Sequence, residues 1–194
     1  LYNSGNGKFV YTFGANNETL TANWEANTYK IAYDYADGKA GANVPTSATY
    51  DKAFNVSVPT RTGYKFTGWT VTSYNGSTAK CGTTESTDSA VTTSACAFSE
   101  NGTWFKNLTP TNGATVTLTA TWEAVDVDYI VETYIEEADK TGSYKLSSTS
   151  TRQAKADSTI TLGGADTIMA GYDFVAAKSI VSGKVNPDGS SVFK

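Results

Sequence analysis

Val116-Thr117-Leu118-Thr119-Ala120-Thr121-Trp122 alternates without a break: Val116, Leu118, Ala120 and Trp122 share one face of an extended chain, and three threonines share the other. Period-2 alternation is what a strand requires when one face is buried and the other is wet, and threonine suits the wet face of a pleated sheet. The same rhythm runs through Tyr29, Ile31, Tyr33 and Tyr35, and through Phe9, Tyr11 and Phe13 against Lys8, Val10 and Thr12. No window of a dozen residues carries a 3.6-residue period, so any helix is short, with 51–56 and 157–163 the better candidates. Asp37-Gly38, Asn75-Gly76, Asn101-Gly102, Asn112-Gly113 and Asp188-Gly189 supply the turns.

Working outward, Thr117-Leu118-Thr119-Ala120-Thr121-Trp122-Glu123-Ala124 repeats Thr19-Leu20-Thr21-Ala22-Asn23-Trp24-Glu25-Ala26 at an offset of 98 residues (19 to 117). A Tyr-led strand follows each copy, at 29–35 and at 129–135, and Gly63-Tyr64-Lys65-Phe66 is echoed by Gly171-Tyr172-Asp173-Phe174. The second spacing is 108 (63 to 171), so the chain reads as a tandem array whose last module has diverged. The expected units are 1–26, the terminal strands of a preceding or neighbouring module; 27–124, a complete module; and 127–194, a divergent module lacking its last strand. Joints at 25–28 and 123–128 are too short for a floppy linker, so successive modules should hold a limited range of orientations.

In 194 residues there is no histidine, which removes histidine triads, general bases, metal ligands and pH switches together. Hydrophobic residues at 39% and aromatics at 12% support a globular, strand-rich chain. A net charge of -4 opposes binding to a phosphate backbone, so nucleic acid is not an expected partner. No run of 18 or more apolar residues exists to insert in a membrane. There is no G-x-S-x-G elbow, S-x-x-K motif or phosphate-cradling loop, so the reading is non-catalytic, without cofactor or metal. Cys81 and Cys96, fifteen apart, fit no zinc pattern; they read as a disulfide closing a polar loop, the alternative being two unpaired small apolar residues.

The central module carries Pro59-Thr60-Arg61-Thr62-Gly63-Tyr64-Lys65-Phe66-Thr67-Gly68-Trp69, then the terminal strand quoted first. This resembles the Listeria-Bacteroides repeat, or internalin B-repeat, whose hallmarks are a P-x-R/K-x-G-Y-x-F-x-G-W core and a T-L-x-A-x-W strand. It departs in length, because the stretch from Tyr74 to Phe105 is longer than that family implies and holds both cysteines. The last module, with Tyr129 to Ile135, Gly171-Tyr172-Asp173-Phe174 and Asp188-Gly189-Ser190-Ser191-Val192-Phe193, is similar to the mucin-binding-protein type of repeat, though no ligand-contact motif is matched. The resemblances imply mainly β, β-grasp-like modules (α+β, at most a short helix each) in exported bacterial surface proteins, used as stalk, spacer or adhesin and not as enzymes.

Three candidate sites stand beside blander readings of the same residues. Trp69 and Trp122 read as core, whereas Trp104, inside the insertion, is the better candidate for an exposed ligand contact, with a glycan or host surface protein as partner. Asp126 and Asp128 could hold calcium at the joint or form a solvated acidic linker. Lys30 and Asn23 could be imagined as an isopeptide pair, but their alternation points both outward. Finally, Leu1 is not an initiator methionine, and joining Lys194 to Leu1 gives Val-Phe-Lys-Leu-Tyr-Asn, a strand in phase. The expectation is one period of a longer array, with neighbouring copies joined head-to-tail through 1–26 into a filament.

Overall fold

A computed structural model describes residues 2–3, 9–10, 14–15, 19, 21–74, 78–86 and 89–194. The chain is mainly β, as its alternation predicts. The first strands, β1 (Tyr2–Asn3) and β2 (Phe9–Val10), pair antiparallel with Tyr2 opposite Val10. Tyr11, Phe13 and Leu20 lie outside the described residues. Residues 21–27 form no strand, and Trp24 is 94% exposed.

Seven strands follow in the 27–124 segment: β3 (Thr28–Asp34), β4 (Ser47–Thr49), β5 (Phe54–Val56), β6 (Tyr64–Thr72), β7 (Lys80–Gly82), β8 (Thr103–Lys106) and β9 (Thr115–Ala124). They make two sheets, in the orders β4-β3-β9-β6 and β5-β8-β7. Here β9 lies parallel to β3 and antiparallel to β6, so the strand with the clearest alternation is an interior one. Its Val116, Leu118 and Ala120 are buried with Tyr29 and Ile31 of β3, Val56 of β5, Cys81 of β7 and Phe105 of β8. Phe66 and Trp69 both face this core although they are three apart, because the β6–β9 register shifts between Phe66 and Gly68. Thr121 holds that bulge: its hydroxyl donates to Gly68 O at 2.7 Å, and Thr67 Oγ1 donates to Thr121 Oγ1 at 2.8 Å.

Trp69 is 0% exposed and meets the rings of Tyr33, Tyr35 and Phe66 edge-on at 5.8, 5.9 and 5.5 Å. Its carbonyl accepts the Cys96 N–H at 2.7 Å, which ties the long insertion to β6. Cys96 is bonded to Cys81, so the insertion is pinned at β7 as well. Trp122 sits at the rim, half-buried, with its Nε1–H donated to Tyr35 O at 3.0 Å.

The second module contains β10 (Asp126–Glu136), β11 (Tyr144–Lys155), β12 (Thr159–Thr161), β13 (Ser182–Lys184) and β14 (Val192–Phe193). The order β11-β10-β14 forms one sheet and β12-β13 a second. Tyr129, Val131, Leu162, Val185 and Phe193 make its core. The two helix candidates are overturned: 54–56 and 159–161 are strands, each preceded by an aspartate (Asp51, φ 64; Asp157, φ 60) in the left-handed region, a turn conformation that no helix can start from. Helical structure among the described residues is limited to two short 3₁₀ turns, Gly164–Thr167 and Ala176–Lys178, neither burying a residue.

Two expectations follow. Trp69→Ala should cost on the order of 3–5 kcal/mol and Trp122→Ala clearly less, read by denaturant unfolding of the full chain; equal losses would contradict the placement of Trp69 at the centre. Reducing the Cys81–Cys96 bond should lower stability by up to about 3 kcal/mol on loop-closure grounds, and an unchanged melting curve in reductant would show that the bond closes a loop already ordered without it.

Candidate functional site

The two modules meet across one residue. Strand β9 ends at Ala124, β10 begins at Asp126, and Val125 alone stands between them. Its N–H donates to Gly63 O at 3.0 Å in the first module, and its carbonyl accepts the Ala156 N–H at 2.9 Å from the second. Both backbone groups of the joint residue are therefore bonded, one to each side, which leaves it little freedom to swivel.

Gly63 is the third residue of a turn closed by Tyr64 N–H to Arg61 O at 3.1 Å, with φ at +75. That position favours glycine because the conformation crowds a β-carbon. Here a β-carbon would also come within 2.7 Å of Pro187 Cβ and Pro187 O, so the modules touch backbone to backbone at this point. Tyr64, which the turn launches into β6, donates its hydroxyl to Asp157 Oδ2 at 2.5 Å. The other carboxylate oxygen lies 3.7 Å from Lys184 Nζ, and the Arg61 guanidinium sits 3.9 Å from the Tyr64 ring centroid. The hydrogen bond from Tyr64 holds the Asp157 carboxyl below its ordinary pKa, with Lys184 and Arg61 adding to the effect, and the same bond raises the Tyr64 phenol. Asp157 is fixed in turn by its N–H, donated to Val185 O at 2.8 Å. The arrangement is a latch: an aromatic hydroxyl, a carboxylate and two cations, braced by backbone bonds on both sides.

The residues expected from sequence fall elsewhere. Cys81 and Cys96 are joined and buried. Trp104 is half-buried on the outer face of β8, opposite Asn55 and Gly82 and one strand position from the facing pair Lys80 and Lys106. It points away from the disulfide, since Cys81 and Phe105 occupy the inner face of the same strands. Asp126 pairs with Lys155 at 3.3 Å and Asp128 accepts from Gln153 Nε2 at 2.9 Å, so the structure spreads these carboxylates along the sheet. Among the described residues no three acidic or thiol groups gather as a metal site, and no helix is long and apolar enough to cross a membrane. Lys30 and Asn23 are both exposed. The joint's own residues were only half visible: Gly63-Tyr64 stood out as a repeated motif, whereas Asp157 was hidden in a stretch that looked weakly helical.

No family model matches this chain, and neither a curated protein nor a solved structure is similar to it.

The latch predicts a pH response. A carboxyl with a depressed folded-state pKa contributes above its unfolded value and loses that contribution as pH falls through the folded one, so the joint should loosen below about pH 4. Small-angle scattering should record a broader distribution of module orientations there, and Tyr64→Phe should show the same broadening at neutral pH. Gly63→Ala should be worse, since it combines the clash with Pro187 and a strained φ costing on the order of 1–3 kcal/mol; a wild-type profile for both variants would remove the latch from the account.

Proposed function

We propose that the chain is a non-catalytic structural segment of an exported bacterial surface protein, a stalk or spacer that bears tension. The observation that carries this reading is shared by both modules: the first strand lies beside the last and parallel to it. β3 pairs with β9 over Lys30–Asp34 and Thr115–Thr119, and β10 pairs with β14 at Ile130–Val131 and Val192–Phe193. Tension passing along the chain then pulls the two strands of each pair in opposite directions along their length. The inter-strand hydrogen bonds are loaded together in shear, and none can open alone. The braced joint transmits the load from one module to the next, and the disulfide withholds the insertion from stretching. A disulfide also belongs to an oxidising compartment, which suits an exported protein.

A second reading is adhesion to a glycan or host protein through the insertion. It draws on Trp104, set on an outer sheet face beside Lys80 and Lys106. Under that reading a glycan array gives a saturable signal that Trp104→Ala abolishes.

Single-molecule stretching separates the spacer reading from its rivals. With handles at residues 27 and 124, the first module should resist as a shear clamp. With handles at 27 and 111, the force reaches both strands from one end, near where Gly113 N–H donates to Thr28 O, and peels the ladder open. The expected result is a markedly lower unfolding force in the second geometry, with a shorter length gain when the disulfide is intact. Equal forces in both geometries would sink the tension-bearing role.

A further inference from the structure

The insertion between Tyr74 and Phe105 supplies β7 and most of β8, two of the three strands in the sheet β5-β8-β7. Alternation gives that sheet two unlike faces. Val56, Cys81 and Phe105 point inward and are buried in the core. On the outer face, Trp104 of β8 stands opposite Asn55 of β5 and Gly82 of β7, and at the next same-face position Lys106 stands opposite Lys80. Trp104, Lys80 and Lys106 are all half-buried. Gly82 has no side chain, so nothing from β7 shoulders the indole on that side.

The facing lysines work against the fold. Directly opposed residues of an antiparallel pair have α-carbons about 4.5–5.5 Å apart with side chains on one face, so two ammonium groups there repel. Six other cations of the chain have carboxylate partners, but among the described residues neither Lys80 nor Lys106 joins an ion pair or lies over an aromatic ring. Acidic residues outnumber basic ones in this chain, 19 to 15, and one of them at either position would turn repulsion into attraction. Stability forgone in this way is what a binding site shows when its ligand brings the missing charge.

We propose that the outer face of β5-β8-β7 binds a carboxylate-bearing sugar, with its ring on Trp104 and its carboxylate between Lys80 and Lys106. Same-face positions along a strand are about 7 Å apart, which one sugar ring with its carboxylate spans. The indole offers a flat apolar face to the ring, and the two ammonium groups, donors only, match the carboxylate. The pair is held ready from beneath: Cys81, between Lys80 and Gly82, is bonded on the inner face to Cys96, whose N–H donates to Trp69 O at 2.7 Å. An acidic peptide fits less well, because β8 is paired on both sides and offers no free edge for a backbone ladder. The proposal rests on the adhesion reading and names the class of ligand that reading leaves open.

Calorimetric titration of the full chain with a glucuronic-acid oligosaccharide, a glucose oligosaccharide of equal length and a glutamate peptide of equal charge tests it. The glucuronate probe should bind at least about tenfold more tightly than either other probe, and more weakly as salt rises. Trp104→Ala should weaken that binding by about tenfold or more. Lys80→Glu should abolish it while raising the melting temperature, since Lys106 then faces an opposite charge; no folding defect produces that combination. Glucose binding as tight as glucuronate, or a Lys80→Glu chain that binds like the wild type, overturns the acidic class and leaves adhesion standing. A glutamate peptide that binds as tightly overturns the sugar. A chain that binds neither saccharide overturns the inference, and the glycan array with Trp104→Ala then reads adhesion separately.

Discussion

The pairing of each module's first strand with its last is the constraint from which most of the architecture follows. Parallel neighbours cannot be joined by a tight turn, so everything between them has to fold as a crossover. In the first module that crossover adds β4 and β6 to the same sheet and builds a second one, β5-β8-β7, with the core drawn from both. Parallel pairing also separates the places where the chain comes in and leaves: β3 starts at one end of the module and β9 finishes at the other. The next module must begin where the last one stops, and β10 does so after a single residue. Tandem extension is therefore built into the pairing, and the joint at Val125 is its direct consequence. Bringing together strands so far apart in sequence costs loop-closure entropy, which the buried faces have to offset.

They offset it unequally. Among the described residues fifteen buried apolar side chains form the first core and five form the second. Trp69 anchors the larger one so firmly that its ring is buried even though its Nε1 finds no partner among the described residues, at a cost of about 1–3 kcal/mol. The smaller core lacks any such centre. Its exposed apolar residues include Ile168, Tyr172, Phe174 and Ile180, and most of its order comes from the long β10–β11 ladder. The second module accordingly leans on the first through Asp157, Ala156 and Pro187.

Much of this was legible in the residues. Alternation located β3, β9 and β10. What alternation does not encode is direction. A period-2 pattern looks the same in a parallel and an antiparallel ladder, so the shear geometry was invisible before the strands were placed. Nor does it encode bulges: strict alternation puts Phe66 and Trp69 on opposite faces, and only the register shift held by Thr121 reconciles them. The latch was missed for a related reason. Asp157 acts through a left-handed backbone and a partner 93 residues away, and neither leaves a local signature. Trp104 and Trp122 are both half-buried where an exposed contact and a core residue were expected, and the place of Trp104 on a sheet face follows from its register against Gly82, which spacing alone does not give.

The repeated octapeptide shows where strand formation is decided. At 115–124 the sequence is an interior strand with neighbours on both sides; at 21–27 nearly the same residues form none. Local preference is equal in the two settings, so the difference lies in the partner, as expected when β-propensity mostly reports fit to a neighbouring surface. An unpaired segment of this kind is a hazard, because any free edge can capture it.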